Sequence, residues 1–344
     1  MVSGVSRYVS WMYFVIHMLV EVVCFALLYD KLGYGLSLIV VVSYDFFAFV
    51  PQGLIGELHN RCRKLDIGTM GAVLLGISIL LLGSSSLERT VIGMVILGLG
   101  NAFLHEAGAI ATVTVGEGKL FPSALFVAGG SFGLILGQTL GKLGMNRYLL
   151  LWAALLIEIL VLATNRYWLK KDVRYPVYQL VKTEKSEWII IGMAVLVTAI
   201  RSFVGYAIPI SWNKTVWQAF ALFFVMGAGK GIGGWLADRY GARKVGVIST
   251  LACIPFLLLG KDMMLISILG VFLFSMTMSI TFGMLMSVIP DDPGLAFGMT
   301  TIGLFVGVCP VLIWGSFGDI INSILVVVLS VLCAGGLWIT LKEG

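Results

Sequence analysis

The chain has 344 residues, of which 59% are hydrophobic and only 12% are charged, with a mean hydropathy of +1.01. Soluble globular domains carry about 25% charged residues, so this composition excludes a soluble domain and predicts a surface that mostly faces lipid. The net charge of +5 does not indicate a nucleic-acid partner, because the basic residues occupy short loops rather than one polar face. The five cysteines form no disulfide or metal-binding pattern, and we expect neither a metal nor a cofactor.

A membrane-spanning helix needs about 20 apolar residues, and about twelve such runs follow one another along the chain. In chain order the predicted spans are 8–29, 35–56, 67–86, 89–113, 120–142, 147–167, 188–210, 216–238, 245–260, 263–288, 295–317 and 320–341. The one longer polar stretch, 170–187, falls near the midpoint and is typical of a linker. The sequence therefore predicts an all-α membrane protein with one six-helix bundle over 1–169 and a second over 188–344.

The positive charges are distributed unequally between the two sides of the membrane. Of the 23 lysine and arginine residues, 15 fall on the side of the termini and the linker, and 6 fall on the other side. Loops rich in lysine and arginine stay in the cytoplasm. Both termini are therefore predicted to be cytoplasmic, in a multi-pass protein of the inner (plasma) membrane, which we expect to be monomeric.

The loop after the eighth predicted span has a spaced pattern of glycine, acidic and basic residues, GWLADRYGARK over 234–244. Gly234 lets two helices approach closely, Gly241 suits a tight turn, and Asp238 can meet the positive N-terminal end of a neighbouring helix. The basic residues that can bind headgroups or carboxylates are Arg239, Arg243 and Lys244. This pattern predicts a conformational latch, although a loop that only sets topology by its charge would have a similar composition.

A degraded copy of this loop follows the second span. Gly56, Asn60 and Arg61 lie 178 residues before their counterparts in the second loop, an offset of about half the chain. Asn60 replaces the acid, so we expect Gly56 and Arg61 to belong to the weaker of two latches. The repeated loop resembles the G-x-L-x-D-R-x-G-R-R/K loop of the major facilitator superfamily. The resemblance implies the major facilitator fold, with two pseudo-symmetric six-helix bundles.

Polar side chains inside the predicted spans are costly in hydrocarbon, so each is a candidate site residue. His17 and Glu21 lie four residues apart and share one face of the first helix. Imidazoles and buried carboxyl groups can take up and release protons, and a guanidinium group holds carboxylate or phosphate bidentately. The candidates for proton coupling are Glu21, His17, His105, Glu106 and Asp45. The candidates for substrate binding are Arg201, His105, Glu106, Asn101 and His17.

Structural roles remain open for several of these residues. Arg201 could form a fixed ion pair with Glu21 or Glu106 that holds the two halves together. His105 could hydrogen-bond to the backbone of a neighbouring helix. Lys230, near the end of the eighth span, is expected to extend its ammonium group to the cytoplasmic surface. A metal site is not expected, because the charge of Arg201 would oppose a cation.

A closer resemblance involves the fourth span, which reads GLGNAFLHEAG over 98–108. It resembles the G-x-G-x-x-x-F-H-P-x-G segment of the fosmidomycin-resistance-type efflux proteins. His17 and Glu21 resemble the H-x-x-x-D of that family's first helix, and Arg201 followed by Ser202 resembles its R-S pattern. The resemblance implies that helices 1, 4, 7 and 10 line one aqueous cavity that contains the candidate residues.

The chain departs from that family at two positions. Glu106 stands where the family has proline, and Gln138 follows Gly137 where the family also has proline. The bend of the fifth helix that is linked with antiport is therefore expected to be altered. This leaves the direction of transport open.

These features predict a proton-coupled secondary transporter that exports a small polar organic molecule by alternating access. No G-K-[ST] ending of an ATP-binding loop is present, so the energy would come from an ion gradient. The alternatives are an uptake carrier or facilitator for a small anionic or zwitterionic metabolite, and a non-transporting membrane sensor. A membrane enzyme is not expected, because the chain has no G-x-S-x-G or H-E-x-x-H pattern. The expected partners are the substrate, protons and the lipid bilayer.

Overall fold

The computed structural model describes residues 3–32, 38–83, 86–170, 173–315 and 317–343. Its helices in chain order are α1 (Gly4–Leu32), α2 (Leu38–Phe49), α3 (Gln52–Arg61), α4 (Ile67–Leu81), α5 (Leu87–Thr114), α6 (Phe121–Lys142), α7 (Arg147–Trp168), α8 (Glu187–Ala207), α9 (Val216–Tyr240), α10 (Ala242–Leu259), α11 (Met264–Ser275), α12 (Met278–Met286), α13 (Pro293–Trp314) and α14 (Asp319–Thr340). In these ranges the only β-structure is an isolated bridge between Val181 and Leu341. The predicted all-α fold class is confirmed.

The fourteen helices of the described ranges form twelve membrane segments, because two segments are each divided into two helices. α2 and α3 are separated at Pro51, because proline has no backbone N–H group that could donate a hydrogen bond. α11 and α12 are separated at Met276 and Thr277. Ten segments are long and apolar enough to cross a membrane, and α4 and the α2–α3 pair complete the twelve. The prediction of about twelve spans is confirmed.

Both chain ends and the linker lie on one side of the bundle, which we name the linker side; the opposite side is named the far side. The linker residue Lys182 donates a backbone hydrogen bond to Thr340 at the end of α14 (3.0 Å). Ser3 bonds to Glu117 in the loop between α5 and α6 (3.3 Å). The linker residue Tyr178 also donates to a carbonyl of that loop (3.2 Å). The charge distribution predicts that the linker side is cytoplasmic.

Close glycine contacts hold each half together in the same way. In the first half, a Cβ atom at Gly129 of α6 would lie 2.2 Å from the carbonyl oxygen of Phe14 on α1. In the second half, a Cβ at Gly307 of α13 would lie 2.1 Å from the carbonyl oxygen of Ala199 on α8. Gly129 and Gly307 are 178 residues apart, which is also the offset of the two loop motifs. Small residues allow such close backbone approach between membrane helices, and the two bundles repeat it.

The two halves are in tight contact at the linker side, through α3 and α13. A Cβ at Gly298 would lie 2.1 Å from the backbone nitrogen of Gly53, and a Cβ at Gly56 would lie 2.5 Å from Cα of Gly294. A second seam joins α6 to α9, where a Cβ at Gly227 would lie 2.5 Å from the ring of Phe132. The structure is therefore closed on the linker side.

Replacing Gly298 with alanine is expected to open the linker side. The new methyl group would overlap the backbone of Gly53, which has no flexible side chain that could move away. Spin labels at the exposed positions Lys64 and Ile339 should report a longer distance across this side. Gly76→Ala is the matched control, because a Cβ at Gly76 meets nothing within 4 Å. An unchanged distance in Gly298→Ala would contradict the assigned contact.

Candidate functional site

Two histidines and one carboxyl group meet inside the first bundle, between α1 and α5. Nε2 of His17 lies 3.6 Å from Oε1 of Glu21, and Nε2 of His105 lies 3.4 Å from the same oxygen. The two imidazole rings are in edge contact, with centroids 4.3 Å apart. The three side chains are only 7 to 11% exposed. We name His17, Glu21 and His105 the central cluster.

The hydrogen bonds of the two imidazoles determine their tautomers. Nδ1 of His17 lies 2.9 Å from the carbonyl oxygen of Phe126, and Nδ1 of His105 lies 2.9 Å from that of Asn101. Because a carbonyl oxygen can only accept, each Nδ1 must carry the hydrogen. In the neutral rings both Nε2 lone pairs then face Glu21. Three acceptors, the two Nε2 atoms and a carboxyl oxygen of Glu21, therefore point at one small space. A proton in that space stabilises this arrangement.

Amide and hydroxyl groups surround the carboxyl group of the central cluster. Nδ2 of Asn101 lies 3.2 Å from Oε1 of Glu21 and 3.0 Å from the hydroxyl of Tyr44. Asp45, the next residue on α2, is partly buried, and the charge of Glu21 acts on it. The structure therefore brings five of the predicted site residues into one region: His17, Glu21, Asp45, Asn101 and His105.

A lysine from the second half approaches the central cluster. Nζ of Lys230 on α9 donates a hydrogen bond of 2.9 Å to the hydroxyl of Ser131 on α6. Its charge acts on all three members of the cluster. The expectation that Lys230 extends to the membrane surface is wrong. Gly227 and Gly234 lie three residues before and four residues after Lys230, so the three share one face of α9. Both glycines pack against α6, and Lys230 therefore faces the first half.

Glu106 lies outside the central cluster, although it follows His105 in the sequence. Successive side chains of a helix point about 100° apart, and Glu106 faces the second half. The side chain is completely buried, and neither carboxyl oxygen has a hydrogen-bond partner among the described residues. Its Oε2 is 2.9 Å from the position of a Cβ at Gly294, and Asp292 acts on it electrostatically. Glu106 therefore belongs to the linker-side contact.

Arg201 is directed into the second bundle, away from the central cluster. Its Nη2 donates a hydrogen bond to the carbonyl oxygen of Phe274, and its guanidinium lies 4.3 Å from the centroid of that ring. Nε and Nη1 have no partner among the described residues. No ion pair in the described ranges joins Arg201 to Glu21 or Glu106, so this alternative is not supported by the structure.

The second loop motif binds the first half through its acid. The carboxylate of Asp238 accepts hydrogen bonds from the backbone nitrogens of Leu120 (2.8 Å) and Phe121 (2.9 Å). These groups form the N-terminus of α6, where the helix dipole favours a negative charge. The prediction that Asp238 meets a helix N-terminus is confirmed. Gly241 has φ +94°, which suits glycine at the turn between α9 and α10.

The basic residues of that loop have separate contacts. Arg243 donates to Glu343 at 2.8 Å and stacks over Trp338 at 3.6 Å. Arg239 lies beside Trp235, 5.6 Å from the ring centroid. Lys244 is exposed. Among the basic residues of this loop, Arg243 is the one that joins it to the C-terminal end of the chain in the described ranges, and Asp238 carries the contact between the halves.

The first loop motif forms the equivalent contact with α13. Here the acid belongs to the second half of the chain and not to the motif. Asp292 caps α13 by accepting from the backbone nitrogen of Leu295 (2.9 Å), and Asn60 donates to its second oxygen (3.2 Å). An acid at position 60 would repel Asp292, whereas an amide can donate to it. Burial raises the pKa of Asp292 to about 6. Arg61 pairs with Glu57 in solvent (2.5 Å), and Glu57 in turn interacts with Asp292, so Arg61 meets this contact through Glu57.

Replacing Asp238 with alanine is expected to destabilise the state that is closed on the linker side. Two hydrogen bonds to a charged acceptor are lost, each of which contributes about 1.5–3 kcal/mol. The distance between spin labels at Lys64 and Ile339 should lengthen. Arg239→Ala, in the same loop but without a contact to the first half in the described ranges, is the control and should leave the distance unchanged. Equal distances in both variants would exclude the latch role.

The central cluster is also the one group of histidine, cysteine, aspartate or glutamate residues with metal-ligand spacing in the described ranges. The ligand atoms of His17, Glu21 and His105 all lie within 4.8 Å of one another. Imidazole and carboxylate suit zinc and related ions. The ammonium group of Lys230, whose charge acts on the cluster, opposes a cation there. That no metal binds remains a prediction.

Comparison with known proteins identifies the fold. No family model and no curated protein sequence matches the chain. The structure is similar to that of the E. coli fucose:proton symporter FucP, with a TM-score of 0.67, 15% identity and 97% of both chains covered. It is also similar to the human organic anion transporter MFSD10 (TETRAN), with a TM-score of 0.66, 14% identity, and 96% of this chain and 99% of that chain covered. The chain thus has the multi-pass fold of major facilitator transporters, as predicted.

Proposed function

We propose that the chain is a proton-coupled secondary transporter that moves a small polar organic molecule by alternating access. The observation that carries this proposal is the central cluster, in which two imidazole lone pairs and a carboxyl oxygen surround one buried space. Such an arrangement suits reversible binding of a proton. The fold supports it, since one structural neighbour is a fucose:proton symporter and another is an organic anion transporter.

Coupling follows from the division of the site between the two halves. Glu21 belongs to α1 in the first half, whereas Lys230 belongs to α9 in the second. A rotation of one bundle against the other changes the distance between these two charges. The affinity of the cluster for a proton then differs between the two conformations, and this difference is what proton coupling requires.

The direction we propose is export, on the basis of the resemblance to the fosmidomycin-resistance-type proteins. In this proposal the linker side faces the cytoplasm, the protein lies in the inner membrane, and a single chain performs the cycle. Uptake is the second candidate, because Gln138 replaces the proline associated with antiport and because one structural neighbour is a symporter.

The test is purified protein in liposomes under an imposed pH gradient, with a dye inside that reports pH. Anionic, zwitterionic, neutral and cationic compounds are added separately. A substrate-dependent proton flux is expected, and the sign of the flux distinguishes export by antiport from symport. Absence of flux with every class of compound, together with unchanged tolerance of cells to those compounds, would contradict the proposal.

A further inference from the structure

A polar cleft opens between the two halves at the far side, where α6 ends and α9 begins. Its volume is about 360 Å³. Lys142 belongs to the last turn of α6, and Lys214 precedes α9, so each half of the chain supplies one lysine. No acidic residue of the described ranges lines the cleft. The other polar residues that line it are Gln138, Thr139, Asn213 and Thr215.

The charges of these two lysines are not neutralised by an acid. Neither Lys142 nor Lys214 forms an ion pair within the described residues, and both side chains are exposed. The ammonium group of Lys142 lies 5.2 Å from the ring centroid of Tyr29, a neutral partner. A cleft with charge of one sign raises the local concentration of the opposite charge. The cleft therefore suits an anionic group.

An apolar groove continues from the polar cleft along the seam between α6 and α9, towards the middle of the membrane. Its volume is about 270 Å³, and Ile135 lines both the cleft and the groove. The rings of Phe132 and Phe224 lie at its inner end, with centroids 5.4 Å apart, and close it there. The groove is thus separate from the central cluster. Its other lining residues are Leu136, Phe220 and Ala221.

The cleft and the groove together have the depth of one membrane leaflet. Phe132 lies ten residues before Lys142, and Phe224 lies ten residues after Lys214. Ten helical residues rise about 15 Å, and the hydrocarbon core of a bilayer is about 30 Å thick. The lysines therefore fall at the level of the far-side headgroups, and the phenylalanine rings fall near the midplane. A ligand that fills both spaces has an anionic end, an apolar body and the length of one leaflet.

We propose that this seam binds a phospholipid of the far-side leaflet that has an anionic headgroup. Its phosphate lies between Lys142 and Lys214, and one acyl chain occupies the groove as far as the rings of Phe132 and Phe224. A lipid fits better than a soluble anion, because the cleft opens into a groove lined by apolar side chains. A zwitterionic headgroup fits less well, because it would bring its own cation beside two lysines. The bound lipid joins the two halves, whatever molecule the chain transports.

The test of the headgroup is the shift of the thermal unfolding midpoint of the purified full-length chain in detergent. The probes are phosphatidylglycerol, phosphatidylcholine with the same acyl chains, and glycerol 3-phosphate without chains. We expect phosphatidylglycerol to stabilise most and glycerol 3-phosphate not to stabilise. The double variant Lys142→Gln, Lys214→Gln should bind phosphatidylglycerol about 10-fold more weakly or less well still, since each lysine at a membrane surface contributes about fivefold. Arg89→Gln, exposed at the far-side start of α5, is the control and should bind as wild type does.

A second variant tests the position of the acyl chain. Ala221→Trp places a large ring in the groove, so it should weaken the binding of phosphatidylglycerol and of phosphatidylcholine alike. Ile248→Trp is the matched control, because this side chain is 63% exposed on α10 and does not line the groove. The unfolding midpoint without added lipid shows for each variant that the chain is folded.

Several outcomes would overturn the inference. Equal stabilisation by phosphatidylglycerol and phosphatidylcholine would show that the headgroup charge is not recognised. Stabilisation by glycerol 3-phosphate equal to that by phosphatidylglycerol would identify a soluble anion as the ligand. Phosphatidylglycerol binding at the wild-type level in the double lysine variant, or in Ala221→Trp, would place the lipid outside this seam.

Discussion

The Glu21→Gln variant is expected to lose proton-driven transport by about 100-fold or more, the lower range for removal of a proton-transferring side chain. Glu21 is the carboxyl group that both imidazoles of the central cluster face. Glutamine has nearly the same shape and can still accept the hydrogen bond from Asn101, so the helices should pack unchanged. The amide cannot take up and release a proton. The measurement is substrate accumulation by proteoliposomes under a pH gradient.

Exchange of labelled for unlabelled substrate at equal pH separates loss of coupling from loss of folding. Exchange needs substrate binding and alternation but no net proton movement, so Glu21→Gln should retain it. The matched control is Glu158→Gln on α7, a membrane carboxyl group that accepts a hydrogen bond from Thr69 at 3.0 Å, outside the cluster. This variant should transport nearly as wild type does. Accumulation by Glu21→Gln at the wild-type level would exclude the cluster as the proton site.

The helix count could be predicted from the sequence, but the two helix breaks were not. Pro51 between α2 and α3 is a recognisable signal, because it removes a backbone donor. The break at Met276 and Thr277 has no proline or glycine. There a Cβ at Gly233 of α9 would lie 2.2 Å from the carbonyl oxygen of Met276, so the backbone of one helix fits against the bend of another. Such a tertiary contact leaves no local pattern in the sequence.

His17, Glu21, Asn101 and His105 on α1 and α5 lie together as predicted, whereas Glu106 on α5 lies at the contact between the halves. That the first four form a functional site remains a prediction. His17 and Glu21 share a helix face, and a polar residue in hydrocarbon seeks a polar partner. Lys230 and Asp292 acquire their roles only when the second half packs against the first. Asn60 shows what the sequence could not predict. In the sequence it only replaces the acid of the loop motif, whereas in the structure it donates a hydrogen bond to Asp292 at the start of the facing helix.

The Glu106→Gln variant is expected to favour the closed linker side, to weaken its opening with rising pH and to reduce transport by about 10-fold or more. Burying a carboxylate without a hydrogen bond is costly, and both oxygens of Glu106 lack a partner among the described residues. The closed state therefore requires the neutral acid, and ionisation requires separation of the halves. Burial raises the pKa of Asp292 to about 6. Above that pH its charge repels an ionised Glu106, so rising pH should open the linker side in wild type.

Glutamine at position 106 is neutral at all pH values, so the repulsion between the two acids cannot develop. Asp292 then keeps its hydrogen bonds from Leu295 and Asn60 whether or not position 106 is ionisable. Spin labels at Lys64 and Ile339 should show a distance that lengthens between pH 5 and pH 8 in wild type and lengthens less in Glu106→Gln, where Asp292 alone still titrates. Glu117→Gln, an exposed acid on the same side, should keep the wild-type response. A pH response in Glu106→Gln equal to that of wild type would show that another group controls closure. Because alternating access requires both states, a chain that favours closure on one side completes the cycle less often, whatever the direction of transport.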